Sequence, residues 1–338
     1  MNKHHNIGWS LLIDEYFFAK PLRTATEWSY RKVYHSFINY VGLSSKPEDI
    51  TRHTVLRWRR YVLKDKQLSS RTWNNKVAHM RAIFNFGMQQ HLLPFEENPF
   101  NNTVVPPDRK RKKTYTQSQI AHIYRIMDSF ETKELRGMLG SRRCALSPVW
   151  FWYALLDTLH YTGMRQNQLL HIRLKDIFLE EGYIRLRTEG CKNHREHHVP
   201  IISYLSPRLS FLLEKATAEG LSGNDQLFNI ALFTGKPAKI NDSMESPQLR
   251  AFFRRLSKEC QFEVSPHRFR HTLATEMMKS PDQNLNTAKN VLGHSSMTST
   301  LEYIESDVGT MGQVLEAQFK RLKTPRVATV YNDLTKSP

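Results

Sequence analysis

Three cysteines, Cys144, Cys191 and Cys260, are all that 338 residues contain, and no two of them stand in a Cys-x-x-Cys spacing. An odd, scattered set argues against a disulfide framework or a zinc ribbon and fits a reducing compartment. Long apolar runs are missing too. No stretch approaches the roughly 20 residues that a membrane-spanning helix needs. The opening MNKHHNIGWSLLIDEYFF lacks the small-residue cleavage pattern of a signal peptide. Acidic residues are scarce: against 49 Lys and Arg there are 32 Asp and Glu, a formal net charge of +17. That balance is unusual for an enzyme of small neutral substrates and points to a polyanionic partner. Ribosomal and membrane-surface proteins share the bias, so charge alone does not choose among them. These absences predict a soluble, cytoplasmic protein without a membrane partner.

What the chain does contain suffices for two cores. Hydrophobic content of 40% with 11% aromatics is that of a globular protein, and 338 residues allow two domains. Over 9–100 the pattern is helical. Trp73, Val77, Met80, Phe84 and Met88 recur at steps of three and four, an apolar stripe to be buried, with Arg71, Lys76 and Arg81 off it as a basic face. Further helices are expected over 9–20, 26–41 and 51–64, which makes a small four-helix bundle. Pro106-Pro107 and then Arg109, Lys110, Arg111, Lys112 and Lys113 break the periodicity and read as a linker. Such a run can be merely solvated or can serve as a targeting signal. Between two DNA-facing domains it would cross phosphates and release counterions.

Thr116 with Gln119 is a capping-box pattern that starts the second domain. Ser147-Pro148 starts a helix whose run WFWYALLDTLHYTG is apolar almost all round and so is to be buried. Gly163 is its C-cap, and Arg165 lies just beyond. Segments 183–188 and 197–201 read as two β-strands, with Lys192 in the turn between them. Ser206-Pro207 and Ser246-Pro247 start two more helices. The second places Leu249, Phe252, Phe253 and Leu256 inward and Arg250, Arg254 and Arg255 outward. Cys191, His194, Glu196, His197 and His198 in the hairpin raise a metal reading, but their spacing matches no familiar zinc pattern, and no metal is expected.

The most informative stretch is 265–304, SPHRFRHTLATEMMKSPDQNLNTAKNVLGHSSMTSTLEYI. Ser265 is an N-cap with Pro266 at the first helical position, so His267 and Arg270 share a face one turn apart. Free backbone N–H groups, the helix dipole and two cationic side chains at one helix start suit a phosphate. The Gly293-His294 pair and then Tyr303 follow. A His-x-x-Arg by itself is usually a solvated face; its conjunction with LGHS and a tyrosine marks a site.

SPHRFRHTLAT, VLGHSSMTSTLEYI and, upstream, TGMRQNQLLHIRLKDI resemble the motifs of the tyrosine recombinases, the phage integrase and Xer-like enzymes. The resemblance implies a mainly α fold with a small β-sheet (α+β), in which a core-DNA-binding helical domain, 9–104, is joined by a basic linker, 105–115, to a catalytic domain, 116–322. A flexible tail, 323–338, follows. Tyr303 would be the nucleophile, Arg165 and Arg270 the phosphate ligands, Lys192 the general acid, and His267 and His294 hydrogen-bond donors or proton carriers. Arg71, Lys76, Arg81 and the linker cations would meet DNA. The family often has a glutamate where this chain has Gln168. The implied partners are double-stranded DNA, further copies of the chain in a tetramer on two DNA sites, and an accessory directionality factor. No cofactor is implied, because the covalent link conserves the bond energy. The chain starts directly on the helical bundle, so no separate arm-site domain is expected. The rival expectations are a type IB topoisomerase-like enzyme, a non-catalytic DNA-binding regulator and an RNA-binding basic protein, for which no RNA motif is present.

Overall fold

The computed structural model of the chain describes residues 7–107, 113–139, 144–190, 196–233, 243–279, 285–293 and 296. It divides into two compact units, Met1–Arg111 and Lys112–Pro338.

The first unit holds α1 (Trp9–Ala19), α2 (Thr24–Val41), α3 (Arg52–Arg60) and α4 (Ser70–Gln89). The stripe expected on α4 is its inner face: Trp73, Val77, Met80 and Phe84 are fully buried and Met88 half-buried. Trp58 of α3 meets Phe37 and Trp73 edge-on at centroid distances of 4.8 and 5.2 Å, a geometry that favours aromatic pairs by about 0.5–1.5 kcal/mol beyond burial. Thr51 caps α3 by accepting the Thr54 N–H at 3.2 Å. The expected helix over 51–64 is interrupted. Its α-helical part ends at Arg60, and Tyr61–Asp65 form a π-helical turn, a widening that keeps Val62 in the core while Tyr61 faces Tyr40 at 5.0 Å. After α4 the chain returns along it. Trp73 Nε1 donates to Thr103 O at 2.8 Å, and Asn74 bonds both backbone groups of Val105 at 2.7 and 2.9 Å.

In the second unit α5 (Gln117–Leu135) starts on the expected capping box. Thr116 Oγ1 accepts from Gln119 N at 3.2 Å, and Gln119 Oε1 accepts from Thr116 N at 3.1 Å. Helix α6 (Val149–Thr162) is buried nearly all round and packs against α5, α8 (Ser206–Ala218) and α10 (Pro266–Lys279). Its start differs from expectation: the helix begins at Val149, one residue later than a proline at the first helical position requires. The acceptor comes from α5, where Glu134 takes the Ser147 hydroxyl and the Val149 N–H, both at 2.7 Å. A carboxylate there satisfies an orphan donor and complements the helix dipole.

Strands β2 (Tyr183–Leu186) and β3 (His197–Pro200) pair antiparallel, with Leu186 opposite His197 and Ile184 opposite Val199. A third strand, β1 (Ile177–Phe178), pairs with β2. At two residues it is too short to carry an alternating pattern. Asp176, fully buried before β1, accepts from Arg185 of β2 and from Arg187 just past its end at 3.0 and 2.8 Å. Burial alone would raise its pKa, but hydrogen bonds from Arg187, the Arg173 amide and Arg185 hold it below the ordinary value. On α9 (Ser246–Cys260), Leu249, Phe252, Phe253 and Leu256 are buried and Arg250, Arg254 and Arg255 exposed, as expected. Helix α11 (Leu285–Leu292) packs on α10. Among the described residues the architecture is mainly α with one small sheet, an α+β fold. Among the described residues no helix is long and apolar enough to cross a membrane.

Beneath α10 lies a polar cluster. Tyr124 Oη stands 2.7 Å from both Asp157 Oδ1 and His160 Nδ1, and the His160 ring lies against Phe269. Burial pushes Asp157 up from 3.8 to about 6, against the opposing pull of the Tyr124 hydrogen bond and of Arg208. Burial pushes His160 down from 6.5 to about 4. The two act in opposite directions. The folded state holds the Asp157 proton to higher pH than the unfolded state, so its contribution to stability falls as pH rises from about 4 to 6. The folded state resists protonating His160, so that contribution rises over about 4 to 6.5. Asp157→Asn removes the first term and is expected to steepen the loss of stability between pH 7 and pH 4 by up to about 3 kcal/mol. Urea unfolding at the two pH values measures it; equal pH dependence in variant and parent would show that Asp157 is not raised.

Candidate active site

Helix α6 ends where α10 and α11 crowd it. Gly163 has φ +60°, and a Cβ there would lie 2.8 Å from Leu273 Cδ2 and 3.5 Å from Leu292 Cδ2. Glycine is therefore required on both conformational and steric grounds. Its N–H closes the helix on Leu159 O at 3.1 Å. The chain passes through buried Met164 to half-buried Arg165, which precedes the short α7 (Gln166–Leu169) in an extended conformation. The Arg165 N–H donates to Gln168 Oε1 at 2.8 Å, and Gln168 is 3% exposed. An amide oxygen thus serves as the acceptor of this bond.

Helix α10 begins at Pro266, and the Ser265 carbonyl accepts from Arg268 N and Phe269 N at 3.2 and 3.4 Å. Arg270 is 4% exposed. Its Nη1 donates to Gly163 O at 2.8 Å and its Nη2 to Leu292 O at 2.7 Å, so one guanidinium joins the ends of α6 and α11. His267, one turn earlier, is exposed. Loss of hydration, then the positive charges of Arg270 and of Arg165, hold its pKa below the ordinary histidine value. Residues a hundred positions apart in sequence therefore act on one imidazole. These influences favour the neutral ring, which can donate or accept a proton.

A fourth side chain belongs to the cluster. His197 of β3 is half-buried, and burial lowers its pKa with further contributions from Arg270, His198 and Arg165, while a hydrogen bond to Val291 O acts the other way. The sequence reading placed His197 only within a metal alternative. The alternation along β3 was the available signal, since His197 shares the inward face with buried Val199 while His198 and Pro200 are exposed.

Of the six candidate catalytic residues, Arg165, His267 and Arg270 are brought together. Lys192, His294 and Tyr303 lie outside the described residues, as do Cys191, His194, Arg109, Lys110, Arg111, Lys112 and the tail. Among the described residues no group of His, Cys, Asp and Glu is placed to hold a metal ion. Lys113 is exposed, 3.6 Å from the Glu263 carboxylate. In the first unit Arg71 is exposed and Arg81 half-buried. Lys76 turns inward, its ammonium 3.0 Å from Ser36 Oγ and 5.5 Å from the Trp58 ring centroid, and burial lowers its pKa. Arg52, Arg57 and Arg60 of α3 are exposed, a basic face that the apolar stripe of α4 drew attention away from.

This mainly helical unit, with its three-stranded sheet and a buried arginine joining two helix ends, has the fold of the tyrosine recombinase catalytic domains. Comparison with known proteins states the family: the phage integrase family model matches residues 111–309, and the chain belongs to that family of DNA strand transferases. A Pseudomonas aeruginosa protein that bears the name tyrosine recombinase XerC is 36% identical over 313 residues, 91% of this chain and 71% of its own length. A protein of the same name from Pseudomonas syringae is 35% identical over 304 residues, 90% of this chain and 63% of its own length. Both relatives extend beyond what this chain matches. Among solved structures, the Tn1549 transposon integrase in complex with transposon right end DNA superposes with a TM-score of 0.68 at 18% identity, covering 94% of this chain and 99% of that one. At that identity the likeness is one of fold.

Proposed function

We propose that this chain is a site-specific DNA recombinase that cuts and rejoins duplex DNA through a 3′-phosphotyrosyl link. The observation that carries the reading is the bond from Arg270 to Gly163 O, two residues before Arg165, which brings the segment carrying Arg165 at the end of α6 to the turns of α10 that carry His267 and Arg270. Breaking a phosphodiester needs a nucleophile, charge neutralisation on the non-bridging oxygens and an acid for the leaving group. Arg165 and Arg270 hold the non-bridging oxygens by charge-assisted bonds that strengthen as the pentacovalent state forms. Tyr303 Oη attacks phosphorus and gives up its proton, with His267 or His294 able to accept it. The P–O5′ bond breaks as Lys192 protonates the departing 5′-oxygen. A 5′-hydroxyl of the partner duplex then reverses these steps and releases Tyr303.

Duplex DNA is the partner, a reading supported by the likeness of fold to the Tn1549 integrase, which was solved in complex with transposon right end DNA. In the first unit Arg71, Arg81 and the exposed Arg52, Arg57 and Arg60 contact phosphates, joined by Arg109, Lys110, Arg111, Lys112 and Lys113 of the linker. The working assembly is a tetramer on two DNA sites, its direction set by an accessory factor. It integrates, excises or inverts a mobile element in the cytoplasm, on the nucleoid.

The test is to incubate the protein, with chelator, with nicked duplexes tiling the genomic sequence that flanks its own coding region. A covalent adduct at one defined site is expected. Tight binding with no adduct would make the chain a DNA-binding regulator, and relaxation of supercoiled DNA without site preference would make it topoisomerase-like.

A further inference from the structure

Neighbouring carbonyls at the end of α11 take their hydrogen bonds from side chains of two other elements. Arg270 of α10 donates to Leu292 O, and Nε2 of His197 on β3 lies 3.2 Å from Val291 O. The last carbonyls of a helix have no partner within it, so each requires one from elsewhere. A carbonyl oxygen only accepts, so the His197 proton of this bond sits on Nε2. The same ring closes on Gly293. A Cβ at that position would lie 3.1 Å from His197 Cδ2 and 3.3 Å from its Nε2, and Gly293 has φ +60°. His294 is the next residue in the chain, and Lys192 precedes His197 within the same hairpin.

We propose that His197 is a positioning residue of the strand-transfer site: its Nε2–H bond to Val291 O and its ring contact with Gly293 set where the chain leaves α11 toward His294 and tie the hairpin to the α10–α11 scaffold. This rests on the strand-transfer reading above. Burial, together with the nearby charges of Arg270, His198 and Arg165, favours the neutral imidazole that such a bond uses. His197 acts through other residues, because its proton is committed to a backbone carbonyl. The expected effect is accordingly one of geometry, and misplacing a reacting group by about 1 Å costs on the order of a hundredfold.

Two variants separate the hydrogen bond from the packing. His197→Gln keeps a donor, whereas His197→Phe keeps a ring of similar shape without one. Each is compared with the parent for duplex affinity, melting temperature and rate of adduct formation on the nicked genomic-flank duplexes. His197→Phe is expected to bind DNA as the parent does and to form adduct about tenfold to a hundredfold more slowly. His197→Gln is expected to recover most of that rate. A His197→Phe rate equal to the parent's, or a Gln variant as slow as the Phe variant, overturns the assignment while the recombinase reading stands. Absence of adduct from the parent itself overturns the recombinase reading and this inference with it.

Discussion

Replacing Tyr303 by phenylalanine is expected to abolish the covalent protein–DNA adduct while leaving duplex binding intact. The change removes one oxygen and keeps the ring, so it tests chemistry and not packing. The phenol of a free tyrosine has a pKa of about 10, so the nucleophile depends on cations that stabilise developing negative charge and on a base that takes the proton. Arg165, Arg270 and His267 supply such surroundings, but none of them can form the phosphotyrosyl bond. Tyr331 stands outside every motif and is not expected to substitute. When a residue that acts as part of a catalytic unit is removed, losses on the order of a millionfold are known, which in a gel assay means no adduct. Adduct formed by the Tyr303→Phe protein would take the role from Tyr303 and send the search to another nucleophile.

The arginines are expected to cost nearly as much, and to differ from one another in a way that the fold dictates. Arg165→Ala or Arg270→Ala each removes a donor to the phosphate oxygens, for which a loss of about a hundredfold to a thousandfold in adduct formation is typical. Arg270 carries a second burden. It is 4% exposed and donates to Gly163 O and Leu292 O. Alanine leaves those carbonyls without that donor, at a cost of about 1–3 kcal/mol for each that stays buried and unpaired. Arg165 is half-buried at the start of a four-residue helix, and its backbone N–H, not its side chain, makes the bond to Gln168. Arg165→Ala should therefore lose rate with its melting temperature nearly unchanged, whereas Arg270→Ala loses both. Arg165→Lys keeps the charge but not the planar fork and should recover little. Single-turnover adduct rates and thermal melts on the same preparations decide it. Parental rates in either alanine variant would end the phosphate assignment, and a stable Arg270→Ala protein would end the account of its structural load.

The pH behaviour of the Asp157–Tyr124–His160 cluster and the contact of His197 with α11 belong to a different level of information. Nothing in their local patterns announces them. Asp157 and His160 sit in an apolar helix that reads as core, and Asp157 is buried and His160 half-buried there; their pKa values shift because packing takes them out of water, with Tyr124 of α5 bonded to both and Phe269 of α10 against the His160 ring. The cap of α6 has the same character. Ser147-Pro148 reads as a helix start, yet the acceptor at that start is Glu134 on the preceding helix. Lys76 was legible as a cation off the apolar stripe, but its direction, toward Ser36 and Trp58, depends on how α2, α3 and α4 pack.

Contiguous residues by themselves determined the mainly helical class with one hairpin, the buried stripe of α4, the Thr116–Gln119 capping box, the stop at Gly163 and the start of α10 at Pro266. Each rests on bonds or faces three or four residues apart, which neighbours in the chain can specify alone. The motifs around Arg165, Arg270 and Tyr303 were legible for the same reason, as short words at fixed spacing. Tertiary structure alone decided that Arg270 ties Gly163 to Leu292, that Arg165 and Arg270 act on one imidazole, and that His197 satisfies Val291 O. A helix end leaves carbonyls that its own backbone cannot bond. Which distant side chain meets that need is settled only when the elements pack.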